Sequence, residues 1–424
     1  MAASTIGRRD FLVGGAAAIV AACQARRPFA RPVTPATTSG ATLHRSHMFY
    51  DLAAGLSPDG RWLAIGAGAD VDDYDAGGPL AVWDVAKRAP VRRRTIAPGG
   101  IGLEGSGLLR FSPSGALLTV GVNTNEVMTL DASTSDLREL GHLRLSVDDG
   151  APGRFLLPGE TALLTTGEEG VAIAPARGSF DYDSPAIRWL AFKSFPFECV
   201  AARSDGRVIG ASTEAVTALD PTRGTVLYSS SALPGNSQSA YGFSADATIL
   251  VGAGAGTVGF VDTATGTLVA SHRGPDAAAS AIVWAIGGHR VAVVRATEQP
   301  TRAQRGDITI FEGLTPLCRL AFEPRRMPWL MAPDLRAFVF SRDATRGVVA
   351  TAAGEIVGVE LASTPRTLYR TALVSDPAEW LGLYACANET IVAVTSQDLI
   401  FLDGVTGTVQ ARQPLGFPIR RDVR

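Results

Sequence analysis

Four aspartates crowd the stretch "DVDDYDAGG", at Asp70, Asp72, Asp73 and Asp75. Carboxylates at near-alternate positions offer the hard oxygen ligands that Ca²⁺ gathers in sets of ~6–8. No EF-hand loop forms, because Tyr74 takes an acidic position and no Glu closes the stretch. A solvated acidic loop is the reading preferred here, with a Ca²⁺ site as the alternative. The five histidines are His44, His47, His142, His272 and His289. Only His44 and His47 are closely spaced, and two ligands fall short of a metal centre. The four cysteines form no CxxC or CxxCH, so ligands for a zinc ribbon or a c-type haem are not in place. Cys199, Cys318 and Cys386 sit among apolar neighbours, as small core residues do. No G-x-S-x-G occurs. "GAGTVG" (Gly254 to Gly259) fits G-x-G-x-x-G but lies between two strand-like runs, and a dinucleotide site needs a helix there. No catalytic or cofactor-binding residue is assigned.

A second set of acids recurs. "DPTRGT" starts at Asp220, "DTATGT" at Asp262 and "DGVTGT" at Asp403, each after an apolar run. Asp84 and Asp131 end similar runs upstream, Glu312 and Glu360 fill two further places, and Ala174 stands where one acid is missing. The run ends at 84, 131, 174, 220, 262, 312, 360 and 403 lie about 46 residues apart. Asp accepts turn amides through its short side chain, so Asp84, Asp131, Asp220, Asp262 and Asp403 read as structural turn acids. A second landmark precedes each: "LSPDGRWLAIG", "FSPSGALLTVG", and weaker copies that include "FSADATILVGA" and "APDLRAFVF". Pro, Asp and Gly in that order predict a turn between two strands. Each unit therefore reads as a four-stranded antiparallel meander. Such a meander cannot bury both faces alone. Radial stacking of many copies covers them.

On these repeats the chain resembles the WD40-like and quinoprotein-like β-propeller superfamily over residues 41–424. The resemblance implies an all-β fold, a single β-propeller of four-stranded antiparallel blades. Eight units favour eight blades; seven is the alternative, because three units are degenerate. "WD" itself occurs once, at Trp83-Asp84, and a glycine-histidine pair at Gly141-His142. Residues 41–51 are expected to add a strand to the last blade and latch the ring. The six tryptophans fall mostly in strand-like runs and read as core. "VRRR", ending at Arg94, reads as a charged strand edge.

The chain opens differently. Arg8 and Arg9 precede eleven apolar residues, Leu12 to Ala22. That run is short of the ~20 residues that span a bilayer and suits an export signal. "RRDFL", with Arg8, Arg9, Phe11 and Leu12, resembles the twin-arginine motif of bacterial export, departing from it at Gly7 and Val13. "VAAC" resembles a lipobox, which implies an acylated Cys23 as the mature N-terminus. A plain cleaved signal is the alternative. Residues 24–40 are rich in Pro, Thr and Ala, cannot build a core, and read as a tether. The expected divisions are therefore a signal at 1–22, a lipidated tether at 23–40 and a propeller at 41–424.

Formal charge is −2 for the whole chain. The first forty residues hold five Arg and one Asp, so the remainder carries −6. An acidic body argues against nucleic acid, which needs a basic stripe. Two functions are open. One is an exported, membrane-anchored module that binds a protein, peptide or glycan. The other is a propeller enzyme of the quinone-dependent dehydrogenase, lactonase or lyase type. Binding is preferred, because no cofactor or nucleophile pattern stands out.

Overall fold

The computed structural model describes residues 52–416, except for 69–76, 97–108, 123–125, 145–153, 158, 168–169, 182, 192–198, 213–214, 232–239, 245–246, 255–256, 274–278, 288–289, 298–305, 322–334, 352–353, 374–379 and 396. The chain folds as a single all-β propeller of four-stranded antiparallel blades. The first sheet comprises β1 (Leu52–Leu56), β2 (Trp62–Ala67), β3 (Gly78–Asp84) and β4 (Ala89–Ile96), each hydrogen-bonded to the next. The second comprises β5 (Leu109–Phe111), β6 (Leu117–Val122), β7 (Glu126–Asp131) and β8 (Glu139–Arg144). The third comprises β9 (Arg154–Leu156), β10 (Ala162–Gly167), β11 (Gly170–Pro175) and β13 (Arg188–Ala191). Between β11 and β13 the chain forms β12 (Gly178–Phe180), which pairs in parallel with β8 as a fifth strand of the second sheet. Five more sheets, over 199–230, 240–273, 279–321, 335–372 and 380–414, repeat the plain meander.

Strand periodicity explains how the sheets stack. Side chains alternate between the two faces of a strand. In the first sheet Leu63, Ile65 and Trp83 share a core cluster with Val392, Val394 and Phe401 of the last sheet. The intervening Ala64 and Val82 share another with Phe111, Leu118 and Val120 of the second. Further clusters join second to third, third to fourth, fourth to fifth and fifth to sixth sheets. One larger cluster runs through the sixth, seventh and eighth. Every sheet thus hides both faces against two neighbours. Each fully buried Leu or Phe contributes about 1.5–3 kcal/mol. On β1 a glycine stands where two sheets converge. A Cβ at Gly55 would stand 2.2 Å from the Leu109 carbonyl oxygen of the neighbouring sheet.

The structure revises two expectations; the strand expected from residues 41–51 lies outside the described residues. "APDLRAFVF" is not a turn followed by a second strand. Leu335–Phe340 is the first strand of its sheet, and the turn is "SRDAT", with Ser341 and Asp343 doing the bonding. The turn expected after Ala174 is replaced by a longer connection that carries β12 across to the second sheet. "GAGTVG" spans a hairpin, with Gly254 paired to Thr257.

Candidate functional site

An antiparallel meander sorts its connections between two ends. Turns joining first to second and third to fourth strands gather at one end. Links from second to third strand, and from each sheet to the next, gather at the other.

The turn end is built from the recurrent acids. Asp84 Oδ1 accepts the amides of Ala86 and Lys87, both at 3.1 Å. Asp220 accepts those of Thr222 and Arg223 at 2.9 and 3.0 Å, and Asp403 those of Val405 and Thr406 at 2.8 and 2.9 Å. Asp131 takes the Ser133 amide at 3.0 Å and Asp262 the Ala264 amide at 2.8 Å. Hydrogen bonding to the charged form favours ionisation. The side-chain bond from Ser133 thus holds Asp131 below the usual carboxylate range, as amide bonds do for Asp220 and Asp403. Asp84 is 1% exposed, whereas the others stand partly in solvent.

These depressions fix a sign. A carboxyl whose folded pKa is lowered adds stability above its unfolded value of 3.8, and loses it as pH falls through the folded value. The urea midpoint is therefore expected to hold from pH 7 to about 5 and to fall below about pH 4. An Asp131→Asn/Asp403→Asn variant should show a shallower fall. Identical slopes for parent and variant would remove the turn acids as the cause.

Sequence reasoning missed the serine of the other turn. Trp62, Leu117, Ile249 and Arg346 each donate their amide to a serine hydroxyl five residues earlier, at 2.6–3.0 Å. Those serines, Ser57, Ser112, Ser244 and Ser341, are buried. The repeated "LS" and "FS" before the turn was the available signal.

Side chains at this end and on the outer strands also tie sheet to sheet. Arg94 donates to the Leu137 carbonyl at 2.8 Å, Arg188 to Thr222 at 2.7 Å, Tyr228 to Thr263 at 2.6 Å, and Thr371 to Gly407 at 2.9 Å. His272 Nε2 donates to the Leu314 carbonyl at 2.5 Å. Glu160 accepts from the amide and hydroxyl of Ser114, at 2.7 and 2.9 Å. Each bond runs from one sheet to a turn of the next.

One polar cluster was not foreseen. His142 Nε2 lies 3.0 Å from Glu126, which also pairs with Arg144 at 3.1 Å. His142 Nδ1 lies 3.7 Å from Glu139, and Glu139 takes Arg94 from the first sheet at 2.8 Å. His142 sits on β8, opposite Ser179 of β12. Its neighbour Gly141 makes room for that passage, because a Cβ there would stand 2.5 Å from the Ala176 carbonyl oxygen. The glycine-histidine pair thus serves a parallel strand addition. The acids are already matched to arginines, so the cluster joins sheets.

Other titratable groups are unsuited to attack. Burial pushes the Cys386 and Cys318 thiols up and moves the Tyr228 and Tyr369 hydroxyls to about 12. Burial pushes the Arg110 guanidinium down to about 9. Among the described residues no group of three His, Cys, Asp or Glu is arranged to hold a metal ion. Asp70, Asp72, Asp73 and Asp75 lie outside the described residues, as do Arg8, Arg9, Phe11, Leu12 and Cys23.

The fold is that of a β-propeller. Its likeness to two solved structures is structural, not sequential. The dihydro-heme d1 dehydrogenase NirN, solved in complex with DHE, superposes with a TM-score of 0.60 at 13% identity, over 92% of this chain and 81% of that one. Sqt1 from Chaetomium thermophilum superposes with a TM-score of 0.55 at 14% identity, over 82% of this chain and 95% of that one. No protein-family model matches the chain, and no curated protein matches it.

Proposed function

We propose that this chain is an exported, membrane-anchored β-propeller that serves as a binding or scaffold module for a protein, peptide or glycan. The observation that carries the reading is the division between the two ends of the meander. Short repeated turns, spent on internal hydrogen bonds, gather at one end. The described strands that flank 97–108, 145–153, 298–305 and 322–334 in the sequence open toward the other end. Connections of unequal length on a rigid frame are where recognition concentrates. Eight blades form the ring in this reading; the eight sheets and their shared clusters support that count over seven. Residues 1–22 act as a twin-arginine signal, 23–40 as a tether held by acylated Cys23, and 41–424 as the propeller. Asp70, Asp72, Asp73 and Asp75 fall in the sequence between β2 and β3, where a Ca²⁺ site is the alternative to a solvated acidic loop.

The enzyme reading draws on the likeness to NirN, a dihydro-heme d1 dehydrogenase. At 13% identity that likeness carries the fold alone. Crosslinking in intact cells, followed by a spectrum of the purified chain, separates the two readings. A stoichiometric partner and a spectrum with protein bands only are expected. A visible chromophore at one equivalent, with no partner, overturns the binding reading. For the anchor, the mass of the mature N-terminal peptide should show acyl chains on Cys23. The Cys23→Ser variant should leave the membrane fraction after a high-salt wash, and its full retention would sink the anchor.

A further inference from the structure

The rim of the first sheet carries a charge pattern that sets it apart. From Asp84 the chain reads "DVAKRAPVRRR", with Lys87, Arg88, Arg92, Arg93 and Arg94 in one turn and one outer strand. The corresponding stretches of the other sheets hold no more than two Lys or Arg each. Arg61 joins the group from the neighbouring turn. Its guanidinium carbon and that of Arg92 each lie 4.4 Å from the centroid of the Trp62 ring. Packing on an indole holds both cations in place without neutralising them.

The acids nearby do not cancel this charge. Asp84 is 1% exposed and stands 3.7 and 3.8 Å from Arg61 and Lys87. Asp59 accepts the Ser57 hydroxyl and the Arg61 amide. Asp131, from the second sheet, acts on Arg92 through space but is also paired with Arg138. Glu139 neutralises Arg94 at 2.8 Å. Arg88 bonds Gln410, a neutral partner. Arg61, Lys87, Arg88, Arg92 and Arg93 therefore outnumber Asp59 and Asp84, and Lys87 and Arg93 are exposed.

We propose that this basic rim docks on the anionic phospholipid headgroups of the membrane that anchors the chain. The proposal rests on the anchored reading above. Two facts select a bilayer as the partner. The chain beyond residue 40 carries −6, so an anionic surface repels the rest of the ring and turns this rim toward it. The first sheet is also the one that follows the tether. A coil as long as the proposed tether, residues 24–40, has a root-mean-square span of about 23 Å, which keeps that sheet within reach of the headgroups. Arg26, Arg27 and Arg31 would add to the same attraction.

The test uses the full chain with Cys23→Ser, so that acylation plays no part. It is mixed with phosphatidylcholine vesicles, with or without about a third of phosphatidylglycerol, at low and high salt. Extra binding to the anionic vesicles is expected, and salt should weaken it. Lys87→Gln/Arg93→Gln should lower that extra binding about 25-fold, at about fivefold per cation. Arg223→Gln/Arg366→Gln, two exposed cations of other sheets, should leave it unchanged. The N-terminal segment is common to all these proteins, so the difference between the two pairs reads the rim. Equal binding to both vesicle types overturns the proposal, and so does an equal loss in the two pairs. Either result leaves the anchor itself standing, because that is read from the mass of the Cys23 peptide.

Discussion

Gly407→Ala is expected to cost the ring about 3 kcal/mol, read as a drop in the urea midpoint. Two separate demands meet at this glycine. Its φ is +72°, a left-handed backbone that L side chains avoid. A Cβ would also stand 2.2 Å from Cδ2 of Tyr369, on the outer strand of the preceding sheet. The tyrosine has nowhere to go. Its hydroxyl donates to the Gly404 carbonyl at 3.3 Å, and Gly358 cradles the ring, since a Cβ there would stand 2.2 Å from Cε1. Gly115 separates the two demands, because its φ is +77° yet nothing lies within 4 Å of its Cβ position. Gly115→Ala should cost about 1 kcal/mol, the backbone share alone. In a Tyr369→Ala background, Gly407→Ala should also cost about 1 kcal/mol. If Gly407→Ala and Gly115→Ala cost the same in the parent, the close approach has no energetic weight. Tyr228 stands over Gly266 in the same way, with a Cβ position 2.6 Å from its ring.

Asp84→Ala is the second large effect, at about 3 kcal/mol. This carboxylate accepts two amides and sits within 4 Å of Arg61 and Lys87 while almost sealed from water. Removing it takes the acceptor from two amides and the counter-charge from two cations at a position almost sealed from water. Asp403→Ala removes the same two bonds where solvent can replace them, and should cost only about 1 kcal/mol. The pair is a test of burial, because the turn chemistry is shared. Equal losses at the two positions would mean that Asp84 is no more than a turn former. Asp84→Asn keeps an acceptor oxygen and should recover part of the loss.

Local chemistry made much of the fold legible. The ends of the third strands at Asp84, Asp131, Asp220, Asp262, Glu312, Glu360 and Asp403 are where the repeat spacing put them. An Asp before a tight turn and a Gly after it act within a few residues, so the order of letters carries the signal. The seventh first-to-second turn was misread for the same reason. "APD" resembles the turn motif, yet the strand pairing needed the turn at Ser341.

The polar clusters were less legible, because their meaning depends on distant partners. His142 read as isolated until β7 and β8 set it beside Glu126 and Glu139. The run ending at Arg94 read as a plain strand edge until Arg61 and Trp62 came alongside Arg92 from another strand. The sequence by itself determined the repeating meander, its turn acids and the alternation that makes each sheet apolar on both faces. These follow from bonds and periodicities within about 46 residues. The tertiary structure alone decided which faces meet, that β12 crosses to the second sheet, that Gly407 yields to a neighbour's tyrosine, and that cations gather on one rim. Those depend on packing between segments far apart in the chain, which spacing along the sequence does not encode.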